Sequence, residues 1–191
     1  MSERLQDYER VSIYALNPED QERLLNVARE CVFNWPTRDG WPMGVIMSCL
    51  WNDGRLWLTA GAHRHRISAV RRDPRVSVVV TSTGTEMGAG KTVTIKGRCV
   101  VHEDRGTKDW FYPEFSSHLN PTSEERAAAF QEMLDSPLRV VLEVVPEQYI
   151  TYDGWKMAAH TAGAIDESQL APPKSSDTVR LEKELLRRGM K

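Results

Sequence analysis

The sequence predicts an α+β fold that is mainly β: an antiparallel barrel with helical covers. Two observations predict it. Helical stretches are separated by hairpins of alternating strands, and no strand–helix–strand period appears that would build a parallel sheet. The chain is also rich enough in apolar residues, 40% of 191, to bury a core of its own. That length suits one domain with appendages rather than two full domains.

Asn17-Pro18-Glu19-Asp20 opens a helix. Asn caps, Pro suits the first helical position, and the acids complement the dipole. Leu24, Leu25, Ala28, Cys31 and Val32 recur at helical spacing, so the helix is expected to run until just before Trp35-Pro36. A turn over 38–42 leads into a strand over 43–51. Val45, Met47, Cys49 and Trp51 share one face there, and Ile46, Ser48 and Leu50 the other. Apolar residues on both faces predict a wall covered on both sides. Asn52-Asp53-Gly54-Arg55 is a hairpin turn, and Leu56–Thr59 the returning strand.

A loop and short helix fill 60–73. Val76–Thr81 is a β-branched strand. Ser82–Gly90 is a glycine-rich loop, and Lys91–Val101 alternates again, with Val93, Ile95, Cys99 and Val101 inward. Thr122 and Glu125 form a capping box for a helix ending near Leu134, and a strand follows over 138–146. Residues 166–178 have the composition of a linker, and Val179–Arg188 that of a short charged helix. Residues 1–165 are therefore read as the barrel domain and 166–191 as linker and C-terminal helix.

The composition excludes several classes. A net charge of −2 gives no pull toward nucleic acid. No apolar run approaches the roughly 18 residues of a membrane span. Met1–Asp7 lacks the apolar stretch of a signal peptide. Cys31, Cys49 and Cys99 are odd in number and lie in apolar surroundings, which predicts reduced, buried thiols and a cytoplasmic protein.

Among the motifs, Gly84-Thr85-Glu86-Met87-Gly88-Ala89-Gly90-Lys91-Thr92 imitates a nucleotide-binding P-loop. The spacing fails at Thr85, and the segment continues as strand where a P-loop must enter a helix. Thr59-Ala60-Gly61-Ala62-His63-Arg64-His65-Arg66 places a hydroxyl, small residues and cationic groups after a strand end. It reads either as a phosphate cradle or as a solvated basic segment. Arg71, Arg72 and Arg75 are either a solvated helix end or a widening of a basic groove. No third ligand accompanies His63 and His65, so no metal site is expected. No triad or carboxylate pair stands out, and no catalytic acid or base is indicated.

In order and spacing, these segments resemble the pyridoxamine-phosphate-oxidase-like, flavin-binding split-barrel family over roughly residues 20 to 153. Asp39-Gly40-Trp41-Pro42 resembles its turn into the first strand, and Asp53–Thr59 its first hairpin. Ile67–Val80, centred on Arg72-Asp73-Pro74-Arg75-Val76, resembles its helix-to-strand signature, and Lys91–Gly97 its next cofactor-contacting strand. The resemblance implies a six-stranded antiparallel split β-barrel that pairs as a homodimer, with the cofactor in the cleft between subunits. It implies FMN as cofactor, or alternatively the deazaflavin F420, and hydride transfer to or from a small-molecule substrate. A flavin- or haem-binding protein without activity is the other reading of the same barrel.

By the same resemblance, Thr59 and Ala60 touch the ribityl phosphate region, and Arg64, His65 and Arg66 occupy the phosphate-clamping stretch. Ile46, Met47 and Ser48 line the ring, and Lys91 and Thr92 meet it, with Lys91 beside its N1–C2=O edge. The vitamin B6 oxidases end in a substrate-recognising Trp-then-Arg, His-Asp-Arg pattern. Here the tail reads Tyr152-Asp153-Gly154-Trp155-Lys156-Met157, which argues against pyridoxamine phosphate as substrate and leaves Trp155 and Lys156 for another substrate or the partner subunit.

Overall fold

The computed structural model describes residues 11–190. The reading of Met1–Asp7 lies outside them. Asn17 caps α1 (Pro18–Val27) as expected, its side chain accepting from the Asp20 amide at 2.7 Å. The helix stops there, and the rest of the expected helix is strand β1 (Glu30–Pro36). Cys31, Phe33 and Trp35 alternate inward with period two. β1 pairs with β2 on one side and β5 on the other, and that pairing outweighs the local helical spacing.

The single strand expected over 43–51 is two, β2 (Pro42–Ser48) and β3 (Leu50–Asn52). The break falls at Cys49, whose amide turns to the Arg29 carbonyl at 3.0 Å. β3 returns into β4 (Arg55–Gly61) through Asp53 and Gly54, both at positive φ (49° and 70°), as a type I′ turn requires. Next come α2 (His65–Arg72), β5 (Arg75–Thr81) and β6 (Lys91–His102). The chain then forms α3 (Arg105–Leu119), α4 (Glu124–Leu134), β7 (Arg139–Asp153), α5 (Gly154–Thr161) and α6 (Ser175–Arg187).

α3 was not expected, since no element was read between Val101 and Pro121, and it carries Pro113 inside it. Asp104 nevertheless caps it, accepting from the Thr107 amide at 2.7 Å. The cap of α4 is Ser123, one residue beyond the expected Thr122. β7 runs past Pro146, where a stop was expected. A bulge between Lys96 and Gly97 absorbs the proline, and a Cβ on Gly97 would meet the Val145 carbonyl oxygen at 2.3 Å.

The antiparallel sheet has the order β2-β1-β5-β6-β7-β4-β3 and curls until β2 approaches β4. With β2 and β3 counted as one interrupted strand, six strands surround a split barrel. Its interior is filled by Phe33, Leu56, Leu58, Ile67, Val78, Val80, Val93, Ile95, Leu142 and Val144. α3 and α4 pack on the outer face of β4 and β7, where Phe111, Tyr112, Phe115, Leu134 and Val141 form a second core.

The outer face of the other strands is not covered, contrary to the expectation for 43–51. Ile46, Val32, Val79, Thr94 and Ile150 stand in one row across five strands. Ile46 is 72% exposed and Ile150 45%. The stretch after α5 is pinned to Val11–Tyr14, with the Ala171 amide on the Ile13 carbonyl at 2.9 Å. Among the described residues no helix is long and apolar enough to cross a membrane.

Candidate functional site

At the seam between the covered and the open outer faces lies a concavity of about 230 Å³. Its lining is Ile46, Met47 and Ser48 of β2, Thr59 of β4, Arg66 of α2, Phe115 of α3, Phe130 and Leu134 of α4, and Arg139 of β7. Five residues expected at the site thus meet in one place: Ile46, Met47, Ser48, Thr59 and Arg66.

β-sheet register brings Arg139 there. It stands opposite Gly61, two residues after Thr59, while Thr59 stands opposite Val141. A Cβ on Gly61 would meet the ring of the exposed His63 at 2.7 Å and displace it. No carboxylate lines this concavity. Burial, and then the charges of Arg64 and Arg139, pull the Arg66 guanidinium below its ordinary range. Arg66 Nε is buried without a hydrogen-bond partner. A site that gathers cations and leaves a buried donor unsatisfied is built for an anion, because an orphaned buried N–H costs on the order of 1–3 kcal/mol until something accepts from it.

Thr59 donates its hydroxyl to the Val140 carbonyl at 2.9 Å. Behind it lies the Tyr112 hydroxyl, buried and without a partner of hydrogen-bond geometry. Burial raises the Tyr112 phenol, while Thr59 and the Arg139 charge oppose that rise.

A larger chamber of about 870 Å³ adjoins the first and shares Ser48 and Phe130 with it. The α1–β1 turn, Thr81, the Thr83–Glu86 part of the glycine-rich loop and the α3–α4 turn enclose it. That loop leads straight into β6, so the P-loop resemblance has no helix to support it.

The remaining expected residues lie elsewhere. Ala60 faces the barrel core and is 3% exposed. Arg64 precedes α2 within reach of Arg66, and His65 opens that helix as an exposed side chain. Lys91 pairs with Asp153, its ammonium 3.1 Å from both carboxylate oxygens. Asp153 also caps α5, accepting from the Trp155 and Lys156 amides. Thr92 sits beside Tyr152. The Lys156 ammonium donates to the Ala15 carbonyl at 2.7 Å. Trp155, 65% exposed, donates its indole N–H to the Ala89 carbonyl at 2.8 Å. Lys91 and Thr92 are separated from Thr59 by most of the length of β7, on the order of 30–40 Å along the strand.

Sequence reasoning missed Arg139, Phe115, Phe130 and Tyr112. Arg139 lies within the expected strand over 138–146, but only the pairing with Gly61 discloses its role. The other three belong to the α3–α4 pair, half of which was not foreseen. Among the described residues no three metal-ligating side chains gather.

The family model for pyridoxamine 5′-phosphate oxidase matches residues 35–153. A conserved hypothetical protein from Mycobacterium tuberculosis has a similar structure. The TM-score is 0.65 at 20% identity, over 77% of this chain and 91% of that one. A pyridoxamine 5′-phosphate oxidase candidate from Listeria innocua gives 0.54 at 23% identity, over 70% and 95%. A structure named F420 reductase gives 0.52 at 19% identity, over 67% and 94%. At these identities the likeness is one of fold. No curated protein matches the sequence.

Proposed function

The chain belongs to the pyridoxamine 5′-phosphate oxidase family, and from that premise we propose that it is an oxidoreductase that binds FMN at a homodimer seam and exchanges hydride with a small organic substrate. The observation that carries this reading is the cation-lined concavity around Arg66. Its buried unpartnered Nε, with Arg139 and Arg64 close by, fits a phosphate monoester. Thr59 adds a hydroxyl, and Met47 and Ile46 add apolar surface toward a ring.

FMN, when bound, supplies the two-electron hydride chemistry. Arg66 and Arg139 would hold its phosphate, Ile46 and Met47 would offer apolar surface to its ring, and Phe115, Phe130 and Leu134 would exclude water. The chamber beyond Ser48 has room for a substrate beside the ring.

The homodimer is supported by the uncovered apolar row on the same outer face as Ser48. Thr92 stands opposite Thr81, which lines the larger chamber, so Lys91 and Thr92 belong to the chamber end of the site rather than to the phosphate end.

FMN rather than F420 is favoured by the state of the other arginines. A longer polyanionic tail would draw on Arg71, Arg72 and Arg75. Arg71 is paired with Glu103, Arg72 donates to the Pro36 carbonyl at 3.1 Å, and Arg75 is paired with Asp73. The test is to titrate the purified protein with FMN and with F420 and to record affinity against salt. Tighter binding of FMN, weakening as salt rises, supports the reading. Tighter F420 binding, or affinity for neither, overturns it.

A further inference from the structure

We propose that Tyr112 is a positioning residue for the phosphate, acting through Thr59 as a two-hydroxyl relay that this chain's α3 adds to the cradle. The inference rests on the phosphate reading above. Thr59 lines the concavity, but its proton is committed to the Val140 carbonyl, which can only accept. In that rotamer Thr59 turns lone pairs, not a donor, toward an incoming anion. To serve a phosphate the hydroxyl must swing its hydrogen away from Val140. The oxygen then gains from a donor behind it.

Tyr112 is that donor. It is 1% exposed, its hydroxyl has no partner, and it lies beside Thr59 and within the field of Arg139. A phenol buried this deeply and left unsatisfied is costly, and replacing it with phenylalanine would remove that cost. Tyr112 O–H donating into the Thr59 oxygen, and Thr59 O–H donating to the phosphate, form a chain in which each bond polarises the next. The relay turns a hydroxyl that is surplus in the empty protein into one that is satisfied only when the anion is present. Phe115, one turn further along α3, lines the same concavity, so the helix that positions the phenol also closes the site.

The test compares FMN with riboflavin, which shares the ring and ribityl chain and lacks the phosphate. Both are titrated by flavin fluorescence into the wild type, Tyr112→Phe, Thr59→Val and the double variant, alongside thermal unfolding of each apo form. The expected result is a preference for FMN in the wild type that falls about five- to tenfold in Tyr112→Phe. Riboflavin affinity stays unchanged, and the apo Tm is equal to or above that of the wild type. The double variant is expected to lose no more than Thr59→Val alone. If Tyr112→Phe keeps the full FMN preference, or weakens FMN and riboflavin alike, the relay is wrong. If the wild type itself does not prefer FMN to riboflavin, the phosphate reading is what has failed.

Discussion

Arg139 stands opposite Gly61 across β7 and β4, and that one pairing carries its guanidinium to Arg66, which comes from a helix on the other side of the concavity. Two cations are held together in a half-buried place with no acid among them. Such an arrangement is destabilising for the empty protein and is relieved by an anion.

The first prediction follows from that repulsion. Arg66→Ala and Arg139→Ala should each weaken FMN about ten- to a hundredfold, the range of a lost charge-assisted hydrogen bond. Riboflavin binding should change little. Neither substitution should lower the Tm of the apo protein, because each removes a like charge. Fluorescence titration and calorimetry of the two variants read both quantities; unchanged FMN affinity in both would end the phosphate assignment.

The open outer face yields the second. Val32 lies in the row between Ile46 and Val79, one strand over from the lining of the concavity, and is 37% exposed. A charge there in a protomer–protomer contact would be buried without a partner, at a cost of several kcal/mol. Val32→Glu should therefore sediment as a monomer at concentrations where the wild type is dimeric. It should also lose FMN affinity through the loss of the second chain. A wild type that sediments as a monomer ends the dimer reading, and a Val32→Glu variant that stays dimeric places the contact elsewhere.

The third concerns the end of the barrel. Lys91 and Asp153 are 15% and 8% exposed, and Asp153 also holds the first amides of α5. Asp153→Ala strands a nearly buried ammonium and removes a cap. The expected loss is about 3 kcal/mol of unfolding free energy, measured by urea denaturation. A change below about 1 kcal/mol would show that Lys91 finds water easily and is free to act as a ligand.

How much of this was legible in the sequence depended on the range of the interactions. Asn17 at the start of α1 and Asp53-Gly54 in the β3–β4 turn are local devices, and their residues announce them. β1 is not local. Cys31 and Val32 fit a helical period as well as a strand, and only β2 and β5 on either side decide between them. Pro146 misled for the same reason: a bulge at Gly97 supplies what the local rule denies. The cradle followed this division. Thr59 and Arg66 lie near one another in sequence and were expected, whereas Arg139 and Tyr112 arrive through tertiary pairing.

The last prediction concerns the three thiols. Burial, with a smaller push from Glu143, raises Cys99 to about 12. Cys31 sits against the Cys49 thiol, and that contact together with burial holds it well above its ordinary value. The thiolate is the reactive form, so a disulfide reagent at pH 8 should leave the native protein essentially unlabelled and label all three thiols once it is unfolded. The same shift sets a stability slope. An unfolded Cys99 ionises near 9 while the folded one stays protonated to about 12. The folded state therefore binds the proton more tightly, and its advantage is whole below pH 9 and drains away as the pH climbs toward 12. Cys99→Ala should flatten that part of the alkaline unfolding curve. Rapid labelling of Cys99 in the native protein at pH 8 would show that its strand opens far more readily than a barrel wall should.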